Sequence, residues 1–388
     1  MVDKDRLAST FMTLVRVDSP SRREGALARI LAERLSALGA EVFFDAAGPV
    51  CGSDTGNLVA RFPGAEGLPP LLLNAHMDTV QPGEGIVPVL EDGVFKSAGE
   101  TILGADDKSA IAVLLETLTV LLETGSPRPP LEVVLTICEE VGLLGAKAMD
   151  PGLVTAPYGY ALDASDPDGI VVRAPAANKL SFVVHGKAAH AGAVPEQGIN
   201  AIQVAAAAIA SLPLGRLDGE TTCNLGVIHG GVATNIVPEK VEVLGEARSH
   251  NPAKLQHVTD RMVQAFSQEV DRVRKERGAD DGLPTLQVAV DRDFPCLKVP
   301  GDHPLVAAAC KAAERLGRTM ALKTSGGGAD ANIFFDRGIP CGVLGTGMED
   351  MHTTRETVAL KDMEKAAALL VEIVRLHGKN AVSRESSD

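Results

Sequence analysis

Leu71-Leu72-Leu73-Asn74-Ala75-His76-Met77-Asp78-Thr79-Val80 sets a short apolar run directly before a histidine and an aspartate two positions apart. A run of this length between Gly/Pro/Asp-rich turns reads as a buried strand. Open α/β sheets gather their ligands beyond the carboxyl ends of such strands, which is where His76 and Asp78 fall. Residues two apart on an extended chain face the same side, so His76 can bind a metal while Asp78 fixes its ring. A hydrogen-bonded structural histidine is the alternative at this one motif.

Outward from that strand the pattern repeats. Glu41 to Phe44, Asn57 to Phe62, Leu131 to Cys138 and Tyr158 to Asp163 are further short apolar runs. Helical spacing marks Leu7 to Val15 and Ala26 to Leu35, broken at Asp18-Ser19-Pro20-Ser21, and a further helix over Asp107 to Leu122. Alternating helices and buried strands predict an α/β domain with a mixed, largely parallel sheet flanked by helices. After about residue 176 the order becomes strand (Leu180 to His185), helix (Gly198 to Leu212), two strands (Asn224 to His229, Val237 to Arg248), helix (Pro252 to Arg277) and strand (Leu286 to Val290). That is the order of a ferredoxin-like split unit, an α+β lid inserted at 177–294 into a domain made of 1–176 and 295–388. The chain then returns to helix (Pro304 to Leu316), a Gly-rich turn (Ser325 to Gly328), helix (Asp330 to Arg337), strand (Cys341 to Leu344) and a last helix (Leu360 to Leu376), with Asn380 to Asp388 as a tail.

Four more motifs place acids or a histidine at element ends. In Gly104-Ala105-Asp106-Asp107-Lys108 the loop opens a helix; Asp107 is expected as its cap, Asp106 can bridge two cations, and Lys108 is a neutralising neighbour. Glu139 and Glu140 follow the run ending at Cys138, where adjacent acids need cations or hydrogen bonds in compensation. One of the pair can serve as general base and the next as ligand. Asp163 ends another strand, and His352 stands in Met351-His352-Thr353-Thr354-Arg355-Glu356 after a Gly-rich segment. The combined nitrogen and oxygen donors suit zinc, cobalt or manganese and include no thiolate.

Composition narrows the classes. The 388 residues exceed the usual reach of one hydrophobic core, and 45% hydrophobic with 23% charged residues is an ordinary globular balance. A net charge of −14, from 51 acidic and 37 basic residues without a Lys/Arg block, argues against nucleic acid or an anionic membrane as partner. Neither a membrane-spanning run nor a secretory signal is read, and the six scattered cysteines fit reduced thiols in a cytoplasmic protein.

Taken together and in order, His-Met-Asp at 76–78, Gly-Ala-Asp-Asp-Lys at 104–108, Glu-Glu at 139–140, Asp163 and His-Thr-Thr-Arg-Glu at 352–356 resemble the dinuclear zinc exopeptidases. That family includes tripeptidase T, carboxypeptidase G, succinyl-diaminopimelate desuccinylase and aminoacylase; the nearest branch is tripeptidase T-like, and the likeness spans nearly the whole chain. The resemblance implies two Zn2+ per subunit, with Co2+ or Mn2+ as alternatives. His76, Asp106 and Asp163 would hold one ion and Asp106, Glu140 and His352 the other. Glu139 would be the general base and Asp78 the orienter of His76. In the lid, His190 of Gly-Lys-Ala-Ala-His-Ala-Gly would reach the other subunit's site in a homodimer joined through the lids. Asn235 and Arg248 would contact the carbonyl and carboxylate of a short peptide substrate.

The implied activity is a tripeptide aminopeptidase, with carboxypeptidase and N-acyl-amino-acid deacylase chemistry available to the same metal set. Rivals of other classes are weaker. A non-catalytic metal-binding module should lack the base or a ligand. Gly326-Gly327-Gly328 sits outside either nucleotide-binding glycine motif. The chain has no G-x-S-x-G, and Cys138 lies in a predicted buried strand.

Overall fold

The computed structural model describes residues 1–278 and 282–385. The chain divides into two compact units, Met1–Ala174 with Leu297–Asp388, and Pro175–Cys296.

The first unit is built on a mixed sheet of nine strands among the described residues. Its centre is four parallel strands, Leu131–Thr136, Leu71–His76, Gly159–Ala164 and Cys341–Gly345, in that spatial order. Antiparallel strands flank them: Leu58–Phe62 and Glu41–Phe44 on one side, Gly169–Ala174 on the other. Leu71–His76 and Leu131–Thr136 are buried at every position, as continuous apolar runs covered on both faces must be. Helix Ala105–Glu123 is apolar nearly all round and packs among Lys4–Val15, Leu360–Glu385 and the central strands. Its buried Glu116 is held by Arg6, with Nε donating at 2.6 Å. Leu360–Glu385 runs past the end expected at Leu376, into the stretch expected as a tail; residues 386–388 lie outside the described residues.

Several elements were not expected from the sequence. Pro88–Glu91 and Val94–Ser97 form a hairpin through the turn Asp92-Gly93, in a small separate sheet with Thr357–Ala359 and Met348–Glu349. Gly169–Ala174 is a further strand of the main sheet, next to Cys341–Gly345.

The second unit is an antiparallel sheet in the order Gly215–Arg216, Thr221–Gly230, Lys240–Ser249, Ala176–His185, Thr285–Phe294, packed with helices Ala201–Ala210 and Pro252–Arg277. Apart from the two-residue strand, this is the ferredoxin-like split β-α-β arrangement. The longer helix starts where expected because Asn251 caps it, accepting from the N–H groups of Ala253 and Lys254, with Pro252 at the first position. Phe182 stacks on Phe266 at 4.0 Å in this unit's own core. Among the described residues no helix is long and apolar enough to cross a membrane.

Candidate metal centre

The carboxyl ends of the four parallel strands carry the site. His76 is the last residue of its strand, Glu139 and Glu140 follow Leu131–Thr136 after a two-residue turn, and Asp163 sits at the end of Gly159–Ala164. Asp106 arrives from the first turn of helix Ala105–Glu123, and His352 from the loop after Met348–Glu349.

Asp106 stands between two histidines. Its Oδ1 lies 3.0 Å from His76 Nε2 and its Oδ2 lies 3.2 Å from His352 Nε2. His352 Nε2 is also 3.1 Å from Glu140 Oε1. His76 with Asp106 and Glu140, His76 with Glu139 and Asp163, and Asp106 with Asp107 and Asp163 each bring donor atoms within 4.8 Å of one another. Six of the residues predicted for the site, with Asp78 as the seventh, therefore gather in one place. His190, Asn235 and Arg248 belong to the second unit. The backbone of Asn235 accepts from Ala191 N–H at 2.9 Å, His190 is exposed, and Arg248 donates to Glu246 at 2.9 Å.

The electrostatics of this cluster favour a cation among its acids. Burial pushes Asp107, Glu139 and Asp163 well above the ordinary carboxylate range, with neighbouring acids adding to the rise at each. Burial opposes protonation of His76, yet hydrogen bonds to the carboxylates of Asp106 and Asp78 raise its ring well above the usual value. Hydrogen bonds to Asp106 and Glu140 raise His352 to about 10. Packing five acids this closely is costly unless positive charge is shared among them. Oδ1 of the fully buried Asp107 has no hydrogen-bond partner among the described residues. The donor set of imidazole nitrogens and carboxylate oxygens fits zinc, cobalt or manganese. Cys138 is no competitor: burial raises its thiol, which points to Glu24 at 3.3 Å.

Two expectations need correction. Asp107 is not the helix cap: the N-cap is Gly104 in a left-handed conformation, φ 73°, and Asp107 Oδ2 accepts the backbone N–H of His76 at 3.1 Å. Lys108 is completely buried, pushed down to about 7 by burial, and its ammonium donates to the carbonyl of Val17 at 2.7 Å. Asp78 does more than orient a ring. His76 Nδ1 is 2.9 Å from the Asp78 carbonyl oxygen and 3.5 Å from its carboxylate. That carboxylate accepts from Ser21 Oγ, Glu139 N–H and Glu140 N–H at 2.6, 2.9 and 3.2 Å, and so fixes the turn bearing both glutamates.

Three supporting acids were missed. Glu356 accepts from the N–H groups of Leu103, Gly104 and Asp106. Glu24, fully buried, accepts from Cys138 N–H at 3.0 Å and Ser53 Oγ at 2.6 Å. Asp330 accepts from Thr136 Oγ1, and burial pushes its carboxyl up to about 6. Glu356 stood within the last motif and Asp330 directly after the Gly-rich turn, which was the available signal.

This fold, with acids and histidines converging at the ends of its parallel strands, is that of a metallopeptidase, and the chain belongs to Peptidase family M20/M25/M40, whose model matches residues 72–376. A crystal structure of aminopeptidase PepT from Bacillus cereus is 41% identical, with a TM-score of 0.86 over 96% of this chain and 98% of that one. A tripeptidase from Staphylococcus aureus is 37% identical, with a TM-score of 0.90 over 98% of this chain and 100% of its own. The protein YqjE of Bacillus subtilis is 40% identical over 96% of this chain and 99% of its length.

Proposed function

We propose that the chain is an aminopeptidase of short peptides, tripeptides above all, that works with two divalent cations. The observation that carries this reading is Asp106, whose two oxygens face different histidines beside the buried Glu139. The relatives at 41% and 37% identity, named as an aminopeptidase and a tripeptidase, favour the substrate class.

Zinc ions, or cobalt or manganese in their place, would supply Lewis acidity and lower the pKa of a shared water. His76, Asp106 and Asp163 would hold one ion, and Asp106, Glu140 and His352 the other. Glu139 takes the proton of the attacking water and returns it to the leaving amine. Its carboxyl, raised by burial and by the acids around it, suits a group that must keep the proton between those two steps. His190 as an oxyanion donor supplied across a homodimer, and Asn235 and Arg248 as holders of the peptide carbonyl and carboxylate, belong to the same proposal and rest on the resemblance of their motifs.

The test is product analysis of zinc-loaded protein given one tripeptide in free, N-acetylated and C-amidated forms. Release of the N-terminal residue only when the amine is free is the expected result. Cleavage of the acetylated form would replace the reading with a carboxypeptidase or deacylase, according to the bond broken.

A further inference from the structure

Past the end of strand Leu131–Thr136 the next four backbone N–H groups, those of residues 137–140, are each taken by a side chain. Ile137 donates to Asn57 Oδ1 and Cys138 to Glu24 Oε1, both at 3.0 Å, and Glu139 and Glu140 donate to the two carboxylate oxygens of Asp78. Asn57 also spans the turn, its amide donating to the Gly145 carbonyl at 2.9 Å. Glu139 therefore stands on backbone that distant side chains hold in place.

Glu24 acts where that backbone is strained. Cys138, directly before Glu139, has φ 53°, a left-handed conformation that is costly for a residue with a side chain and persists only where its surroundings enforce it. Fully buried, Glu24 accepts there from the stretch joining helices Lys4–Val15 and Gly25–Ala37. Its Oε1 also accepts from Arg22 N–H at 2.8 Å and its Oε2 from Ser53 Oγ at 2.6 Å, so the carboxylate is itself fixed. The same stretch is tied to the strand end that carries His76. Ser19 Oγ donates to the Met77 carbonyl at 2.8 Å, Thr79 N–H donates to the Ser19 carbonyl at 3.0 Å, and Ser21 Oγ donates to Asp78. Without Glu24 the Cys138 N–H would be buried with no acceptor, and the turn would relax and swing Glu139. A base must lie within hydrogen-bond reach of its proton, and a displacement of about 1 Å can cost about 10²-fold in rate.

We propose that Glu24 is a positioning residue for Glu139, acting through the left-handed Cys138 and touching neither the substrate nor a metal ligand. The inference rests on the general-base role proposed for Glu139. Its test uses zinc-loaded protein and a free tripeptide. Glu24→Ala removes the acceptor, Glu24→Asp withdraws it by one methylene, and Glu24→Gln keeps an acceptor for Cys138 while its amide faces Ser53 Oγ. Each is measured for kcat and KM, alone and combined with Glu139→Gln, and for amide exchange at residues 137–140 by mass spectrometry. In Glu24→Ala and Glu24→Asp, kcat should fall about 10²-fold with KM little changed. Neither should lower kcat further once Glu139 is glutamine, because residues acting as a unit are not additive. Exchange at 137–140 should quicken about tenfold or more in both, the weight of a hydrogen bond to a charged group. Glu24→Gln should restore most of kcat and the slow exchange. Wild-type kcat in Glu24→Asp, an equal loss in both backgrounds, or Glu24→Gln as impaired as Glu24→Ala overturns the inference, and Glu24→Asp decides alone if Glu24→Ala does not fold. Wild-type turnover in Glu139→Gln, or no hydrolysis by the wild-type protein, overturns the role of Glu139 instead. Exchange then decides the hold of Glu24 on the turn: faster exchange in Glu24→Asp upholds it, and unchanged exchange overturns it.

Discussion

Glu356 and Asp106 are tied together across 250 positions of sequence: Glu356 Oε1 accepts the backbone N–H of Asp106 at 2.8 Å, while Oε2 takes the N–H groups of Leu103 and Gly104 at 2.8 and 2.7 Å. One buried carboxylate thus gathers the free donors at the start of the helix that carries the bridging acid. Glu356→Ala would leave three buried N–H groups without an acceptor and let Asp106 drift. Partners of this kind affect metal affinity by about 10–100-fold when removed. Titration against a chelator of known strength should show zinc affinity falling by that order. Unchanged affinity would reduce Glu356 to a fold residue.

Glu139→Gln keeps shape and removes the base. Zinc content should match the wild type, and turnover should fall about 10²–10⁴-fold, the usual weight of general-base help. Wild-type turnover in this variant would take Glu139 out of the role.

Metal binding should release protons. Without cations, hydrogen bonds to carboxylates hold His352 up at about 10, so its ring carries a proton at pH 7, and burial keeps the Asp163 carboxyl well above the ordinary range. A cation needs them deprotonated, so affinity should rise with pH and protons should appear in solution on binding. Calorimetry of zinc binding at pH 7 in buffers of different ionisation enthalpy should give buffer-dependent heats. Identical heats would contradict the proton load assigned to the cluster.

His377 should make the fold acid-sensitive. Burial lowers its ring from 6.5 to about 4, between the hydroxyls of Tyr158 and Tyr160 at 3.3 Å each. Between those values the unfolded chain binds a proton that the folded one refuses. Stability is therefore fully present above about pH 6.5 and is lost as pH falls toward 4, by roughly 3 kcal/mol. Urea midpoints of His377→Phe should depend less on pH across this window than those of the wild type. Parallel curves would place the acid sensitivity elsewhere.

Much of the site could be read from sequence because the ligands are local endings. Each of His76, Glu140 and Asp163 closes or follows a continuous apolar run, and a buried strand ending in an acid or histidine is visible in a single stretch of chain. The supporting acids were not visible, because Glu24, Asp330 and Glu356 act on backbone or hydroxyl groups of segments 114, 194 and about 250 positions away. Such bonds leave no local period. Asp107 was misassigned for the same reason: a helix-opening aspartate has a local explanation in capping, and only the fold brings the His76 N–H to it. The missed hairpin at 88–97 is different, since Asp92-Gly93 between short apolar runs is a turn signal that the sequence does contain.

The central claim, two cations bridged by Asp106, is tested most directly by the metal content of wild-type protein and Asp106→Asn after equilibration with zinc and removal of the excess. Two zinc ions per chain in the wild type, and the loss of both or of all but a weakly held one in the variant, is the predicted result. One zinc or none in the wild type, or two retained by Asp106→Asn, would contradict the account.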